Sequence, residues 1–246
     1  AILLGIIQGL TEFLPVSSTA HLTLAGRLFN LISPEHPEAW TAYIAVIQLG
    51  TLVAVLLYFS KDIKDILVAL LHDLKANGLS GFSSYSVNSR LGIYIVLGTL
   101  PVVVAGLLLK DLIHGMFTKR ILVISVSLIV LALRPRRAEK VSRPTGNVAG
   151  LSLKAAIVIG SAQAFALIPG ASRSGTTLTA GLFLGFARAD AARFSFLLSI
   201  PAVLASGLYE MTKIDPSVFQ YGIENLVIGT ICAGVSGYMA IAWLLK

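Results

Sequence analysis

The chain has 246 residues, 56% of them hydrophobic and only 13% charged, with a mean hydropathy of +0.85. So little polar surface excludes a water-soluble domain of this size and points to an all-α, polytopic membrane protein. The net charge of +7 is not spread along one face, as a nucleic-acid partner would require; it collects at the ends of apolar segments, where membrane anchors belong.

No charged region followed by a small-residue cleavage site opens the sequence, so the first apolar stretch is expected to be structure rather than a signal peptide. That stretch, Gly5 to His21, reads GIIQGLTEFLPVSSTAH. Its apolar runs on either side of Pro15 are shorter than the ~20 residues a span requires. The expectation is a re-entrant helix-turn-helix that enters the bilayer and returns. A span is predicted over 40–59, then an amphipathic interfacial helix over 60–77 with Ile63, Ile66, Leu67, Leu70, Leu71 and Leu74 on its apolar face and His72 at the surface. The Gly/Ser-rich run 78–89 reads as a flexible connector. Further spans are predicted over 90–110, 118–134, 190–211 and 223–245, five in all. Between the third and fourth lies a second proline-centred element, Gly160 to Thr177, GSAQAFALIPGASRSGTT. The lone Cys232 excludes an internal disulfide and a cysteine metal cluster, and reads as a small core residue. Pro101 and Pro201 should kink their helices, Trp40 and Trp243 should anchor at the interface, and Gly229, Gly234 and Gly237 should permit close helix approach. His36 and His114 fall in short connectors and carry no motif.

The two proline-centred elements are versions of one another. Each runs Gly, two apolar residues, Gln (Gln8, Gln163), an apolar half-turn, Pro (Pro15, Pro169) and a hydroxyl cluster. The likeness continues, with Leu49–Phe59 aligning on Ile200–Glu210 and VLGT (96–99) on VIGT (227–230). The chain is therefore expected to be a single membrane domain over 1–246, with one repeat at about 1–110, a linking helix at about 118–134 and a second repeat at about 152–246. Three spans separate the two re-entrant elements, and an odd number inverts the second unit, so the loops should meet near mid-membrane. Counting Lys and Arg places thirteen on one side, including the RPRRAEKVSRP loop, and five on the other, with Arg173 inside the second loop. The thirteen-charge side is expected to be cytoplasmic.

Hydroxyls beside a helix break in lipid point to an anion site. If α-helix resumes near Ser17, that hydroxyl can cap free amides whose dipole favours an anion. His21 then shares a helix face with Ser17 and Ser18, and Glu12 lies one turn before the break with Gln8 one turn earlier. Glu12 is an ionisable group in the bilayer, which is costly and usually functional. In the second loop Pro169 and Gly170 permit a tight turn, and Ser172, Arg173 and Ser174 open a helix. Arg173 is the one basic residue expected deep in the protein; its fork suits phosphate oxygens, and an alternative is that it pairs with Glu12 to hold the halves together.

These motifs, with VIQLGTLVAV after the first and FARADAARFSFLLSIPAVL after the second, resemble the bacterial undecaprenyl pyrophosphate phosphatase, or bacitracin-resistance, family over nearly the whole chain. The correspondence falls on Gln8 and Glu12, on Ser17, Ser18, Thr19, Ala20 and His21, and on Pro169, Gly170, Ser172, Arg173, Ser174, Gly175 and Thr177. Gln8 stands where an acidic residue or Gln occurs, so a metal role falls more heavily on Glu12; Ala20 replaces the usual Gly. The resemblance implies a sixth span after Lys246 and a bacterial cytoplasmic membrane location with the site open to the outer face. It implies hydrolysis of a C55 polyprenyl pyrophosphate lipid to the monophosphate and inorganic phosphate, recycling the lipid carrier of cell-wall synthesis. On that reading Arg173, the helix amides and a divalent cation (Mg2+ or Ca2+) near Glu12 and Gln8 hold the diphosphate, with Ser17, Thr19, Ser172, Ser174, Gly170 and Thr177 around it. Ser18 attacks the terminal phosphorus and His21 handles the proton; His21 or water as nucleophile are the alternatives. Because inverted repeats with broken helices also build secondary transporters, a transporter or polyprenyl-phosphate flippase is the competing function. The oligomeric state stays open, a homodimer among the possibilities.

Overall fold

The computed structural model describes residues 1–33, 37–109, 122–130, 146–168, 170–211 and 222–246. Pro169, both ends of the predicted span 118–134, the basic loop after it, and His36 and His114 lie outside the described residues.

The nine α-helices named here are α1 (Ile2–Phe13), α2 (Ser18–Leu28), α3 (Pro37–Tyr58), α4 (Ser60–Asn77), α5 (Val87–Leu108), α6 (Leu153–Ala164), α7 (Arg173–Phe183), α8 (Arg188–Met211) and α9 (Ile223–Leu244). Residues 122–130 are also helical. Four of the predicted spans are present, as Ala39–Tyr58, Val87–Leu108, Arg188–Tyr209 and Ile223–Leu244, each long and apolar enough to cross a membrane. Their outward residues, among them Leu57, Val96, Leu107, Leu208 and Ile231, are exposed apolar side chains. Such a surface suits hydrocarbon and not water. Pro101 and Pro201 lie within α5 and α8, as expected. At 12 residues each, α1 and α6 are only about 18 Å long, short of the bilayer's ~30 Å hydrocarbon core.

The helices of the two halves are exchanged. Helix α1 packs most extensively on α9, and α6 on α5, so each short helix lies against a span from the other half. Small residues make this possible, because between helices in lipid, close van der Waals packing replaces the hydrophobic effect. A Cβ on Gly5 would come within 2.4 Å of the Gly229 carbonyl, and one on Gly160 within 1.8 Å of the Gly98 carbonyl. Gly229 and Gly98 are the glycines of the matching VIGT and VLGT runs. Gly9 faces Ser236 and Gly237, and Gly50 of α3 faces Thr230 and Gly234. The larger apolar core gathers Phe13, Phe59, Phe194, Phe196 and Leu197 between α1, α3 and α8.

Two expectations are corrected. The run after α4 is not a flexible connector: Leu79–Ser84 forms a 3-10 helix, and Tyr85 donates to the Gly78 carbonyl at 2.8 Å. Its anchor is Asp73, a buried residue on α4. Asp73 Oδ2 accepts from the Ser86 N–H at 2.7 Å and the Ser89 hydroxyl at 2.6 Å, fastening the first turn of α5. Trp40 is not an interfacial anchor either; it is buried, stacked on Tyr43 and seated on Gly26, where the missing side chain leaves room for its ring. Trp243 is exposed. The apolar face of α4 is only partly covered, with Leu67 and Leu71 open and Ile66 buried.

The Ser89 hydroxyl and the Ser86 amide hold the Asp73 carboxyl well below the usual carboxylate range. A depressed folded value makes its stabilisation complete above the ordinary ~3.9 and lost only as pH falls through the lower value. The melting temperatures of wild type and Asp73→Ala should therefore differ at neutral pH and converge only in strong acid. Gly160→Val should force α5 and α6 apart at a cost of about 1–3 kcal/mol, read as a lower melting temperature in detergent. Gly106→Ala, whose added Cβ would meet nothing nearer than Leu167 at 4.0 Å, should melt like wild type.

Candidate active site

Prolines set the two breaks. The residue before a proline is driven out of the helical region, and Leu14, before Pro15, is extended at ψ 142°; Ile168, before position 169, is extended at ψ 123°. Each break frees carbonyls at a helix end that lipid cannot solvate. At the first break they are met from the second loop: the Ser174 hydroxyl lies 3.1 Å from both the Glu12 and Leu14 carbonyl oxygens.

The restarts differ. Ser172 caps α7, its hydroxyl accepting from the Gly175 N–H at 3.1 Å. Ser17 occupies the corresponding position before α2 but makes no side-chain cap, correcting the sequence expectation. Its backbone is left-handed, at φ 68° and ψ 102°, unlike the extended conformation from which a capping hydroxyl normally reaches the next amides. Non-glycine residues held in this region cluster at functional sites. The first turn of α2 is thus left uncapped by its own serine, with its dipole favouring negative charge.

Glu12 is the centre of the arrangement. Its Oε1 accepts from Arg173 Nη2 and from Gln48 Nε2 at 3.3 Å; its Oε2 accepts from the Ser18 hydroxyl at 2.6 Å and Gln8 Nε2 at 3.1 Å. Ser18 and Arg173 are the first residues of α2 and α7, so both helix starts converge on one carboxylate. Glu12 and Arg173 form a salt bridge, their side chains 6% and 17% exposed.

The predicted residues are not all gathered into one pocket. A cavity of about 190 Å³ takes polar lining from Glu12, Ser17, Ser18, Thr19, Gln48, Ser172 and Arg173. Val102, Ala166, Leu167, Ala171, Ala202 and Val203 supply apolar lining, and Gln163 and Ser206 also line the cavity. Ser174 and Thr177 lie behind the wall; Thr177 Oγ1 donates to the Arg173 carbonyl at 2.8 Å and bonds Ser195. Gly170, at φ +87°, turns against the backbone of Ile124, where a Cβ would come within 2.6 Å of a carbonyl. His21 is exposed and outside the lining; its Nδ1 lies 2.9 Å from the Ser17 carbonyl. With Nδ1 donating there, Nε2 keeps its lone pair as an acceptor. Gln48, Gln163 and Ser206 were not singled out for chemistry from sequence; the matching of Gln163 with Gln8 was the available signal.

A divalent cation finds a partial fit. No group of three or more His, Cys, Asp or Glu occurs among the described residues. Gln8 Oε1, however, is buried without a partner beside the Glu12 carboxylate. Together they offer hard oxygens to an ion whose other positions would be filled by ligand oxygens and water, the coordination Mg2+ favours.

Fold and site define an all-α membrane protein with an acid–base and hydroxyl centre where two broken helices meet. The chain belongs to the bacitracin resistance protein BacA family, whose model matches residues 1–246. Among similar proteins are the undecaprenyl-diphosphatases of Syntrophobacter fumaroxidans, 52% identical over 100% of this chain and 87% of that protein, and of Myxococcus xanthus, 49% identical over 100% and 80%. That of Gloeobacter violaceus is 46% identical over 100% and 82%.

Arg173→Ala would leave a buried carboxylate unpaired at a cost of about 3–5 kcal/mol. Adding Glu12→Ala should recover most of the lost melting temperature without recovering activity, a separation read by thermal unfolding in detergent alongside phosphate release.

Proposed function

We infer that this chain is an undecaprenyl-diphosphatase, hydrolysing the lipid diphosphate to the monophosphate and inorganic phosphate and thereby conferring bacitracin resistance. The observation that carries the reading is the meeting of Ser18, Glu12 and Arg173 in a cavity lined by both polar and apolar residues, inside a chain matched throughout by the family. An amphiphile with a charged head and an isoprenoid tail suits such a lining.

Glu12 and Arg173 balance each other's charge in the structure. A diphosphate brings about three negative charges, and phosphoryl transfer is catalysed mainly by positioning and charge neutralisation. On binding, Arg173 exchanges Glu12 for phosphate oxygens, and the α2 amides and Ser17, Thr19 and Ser172 hydroxyls supply further donors. Ser18 Oγ attacks the terminal phosphorus; its proton passes to Glu12 Oε2 as the bond from phosphorus to the bridging oxygen breaks, and the lipid monophosphate leaves. Water then attacks the phosphoserine, giving its proton to His21 Nε2, and inorganic phosphate leaves as Ser18 regains a proton from Glu12. A Mg2+ or Ca2+ ion held by Glu12 and Gln8 Oε1 would neutralise charge on the diphosphate. Ser174, Thr177 and Gly170 hold the second loop in place behind this machinery.

The two re-entrant elements are read as an inverted repeat, supported by the reciprocal packing of α1 on α9 and α6 on α5. The distribution of Lys and Arg favours a bacterial cytoplasmic membrane orientation with the α1–α2 element entering from the outer face.

Purified protein in detergent should release phosphate from undecaprenyl diphosphate with no ion gradient, whereas a transporter would not. Ser18→Ala and Arg173→Ala should each lower the rate about 100- to 1000-fold. In rapid-quench runs with terminally labelled substrate, His21→Ala should accumulate an acid-stable phosphoprotein that Ser18→Ala lacks. An acid-labile adduct in the wild-type protein would reassign the nucleophile to His21, and the absence of any adduct in both the wild type and the variant would assign it to water.

A further inference from the structure

Gln163 has no work to do in the protein as it stands. Its side chain is completely buried, and neither Nε2 nor Oε1 has a hydrogen-bond partner among the described residues. Gln8, its counterpart in the first element, gives Nε2 to Glu12 four residues on. Four residues beyond Gln163 stands Leu167, which can accept nothing. An amide stripped of water and left unpaired destabilises the fold, and such groups persist chiefly where a ligand completes them. Gln163 lines the cavity from the end of α6, whose following turn supplies Ala166 and Leu167 and whose packing partner α5 supplies Val102 to the same lining.

That placement separates two tasks. The terminal phosphate belongs with Arg173, Glu12 and Ser18, where charge and nucleophile are. The apolar lining suits the first isoprene units, so the polar group within it faces the phosphate bonded to the lipid. We propose that Gln163 binds this lipid-side phosphate, its Nε2 donating to a phosphate oxygen and holding the leaving group in line with Ser18. The proposal rests on the diphosphatase reading and adds a subsite specific to the phosphate that stays on the lipid.

The test uses the full chain in detergent, with farnesyl diphosphate as substrate and farnesyl phosphate and inorganic phosphate as separate product inhibitors. Gln163→Leu removes the amide while roughly keeping its volume. It should melt no lower than wild type, yet turn over farnesyl diphosphate about tenfold more slowly and bind farnesyl phosphate about tenfold more weakly, the worth of one such hydrogen bond. Inhibition by inorganic phosphate should be unchanged. Gln163→Glu, nearly isosteric, sets a negative charge against the lipid phosphate and should weaken farnesyl phosphate further, which keeps the test open if the leucine variant does not fold. Wild-type inhibition by farnesyl phosphate in either variant would overturn the proposal, as would equal weakening of both inhibitors. Farnesyl phosphate binding is also read as a rise in wild-type melting temperature that the variants lack. A wild-type protein that binds it but releases no phosphate would sink the diphosphatase reading while leaving the Gln163 subsite standing.

Discussion

One ion pair between distant parts of the chain governs this architecture. Glu12 ends a short helix from the N-terminal half, Arg173 begins one from the C-terminal half, and neither could be left alone in a medium of low dielectric constant. Their attraction requires the two helix breaks to face each other. Once they do, the remaining polar groups fall into place around the carboxylate. Ser174 covers the carbonyls that the first break exposes, and Gln8, Gln48 and Ser18 fill the remaining acceptor positions of Glu12. A centre that is neutral when empty and needs a cationic group when filled by an anion is well matched to a charged lipid head.

The pair is held by packing that leaves little tolerance. Short helices cannot anchor themselves across a bilayer, so each lies in a groove cut by glycines in a span of the opposite half. The grooves match because the VIGT and VLGT runs match. The position of Glu12 is thereby tied to α9 and that of Arg173's loop to α5 through α6, which makes the geometry of the site depend on residues that never approach it.

Much of this was legible from residue order, because its causes are local. Twenty-residue apolar runs declare spans, and Pro15 with Glu12 and the serines after it declares a broken helix that carries polar groups into lipid. The likeness of Gln8 to Gln163 and of the two glycine runs pointed to paired halves. What escaped was whatever depends on a neighbour distant in sequence. Trp40 looked like an interfacial aromatic because nothing nearby shows that Gly26 vacates space for it. The run after α4 looked loose because Asp73, one charge among several on an amphipathic helix, gives no sign that it will bind Ser86 and Ser89. Ser17 looked like an ordinary cap, since a left-handed backbone is not written in its identity. Gln48 and Gln163 were passed over because an amide in an apolar run has many uses, and only the cavity distinguishes them.

The exchange of helices between halves has a consequence for biogenesis. Gly5 of α1 touches α9, and its carbonyl receives the hydroxyl of Ser236, 231 residues later. During synthesis, then, the first hairpin emerges long before the groove that will hold it, carrying the Glu12 carboxylate and the hydroxyls of Ser17, Ser18 and Thr19 without Arg173. It cannot settle into its final packing until α9 has left the ribosome. Insertion must therefore be followed by a late docking step, in which the waiting hairpin moves into place as α9 arrives.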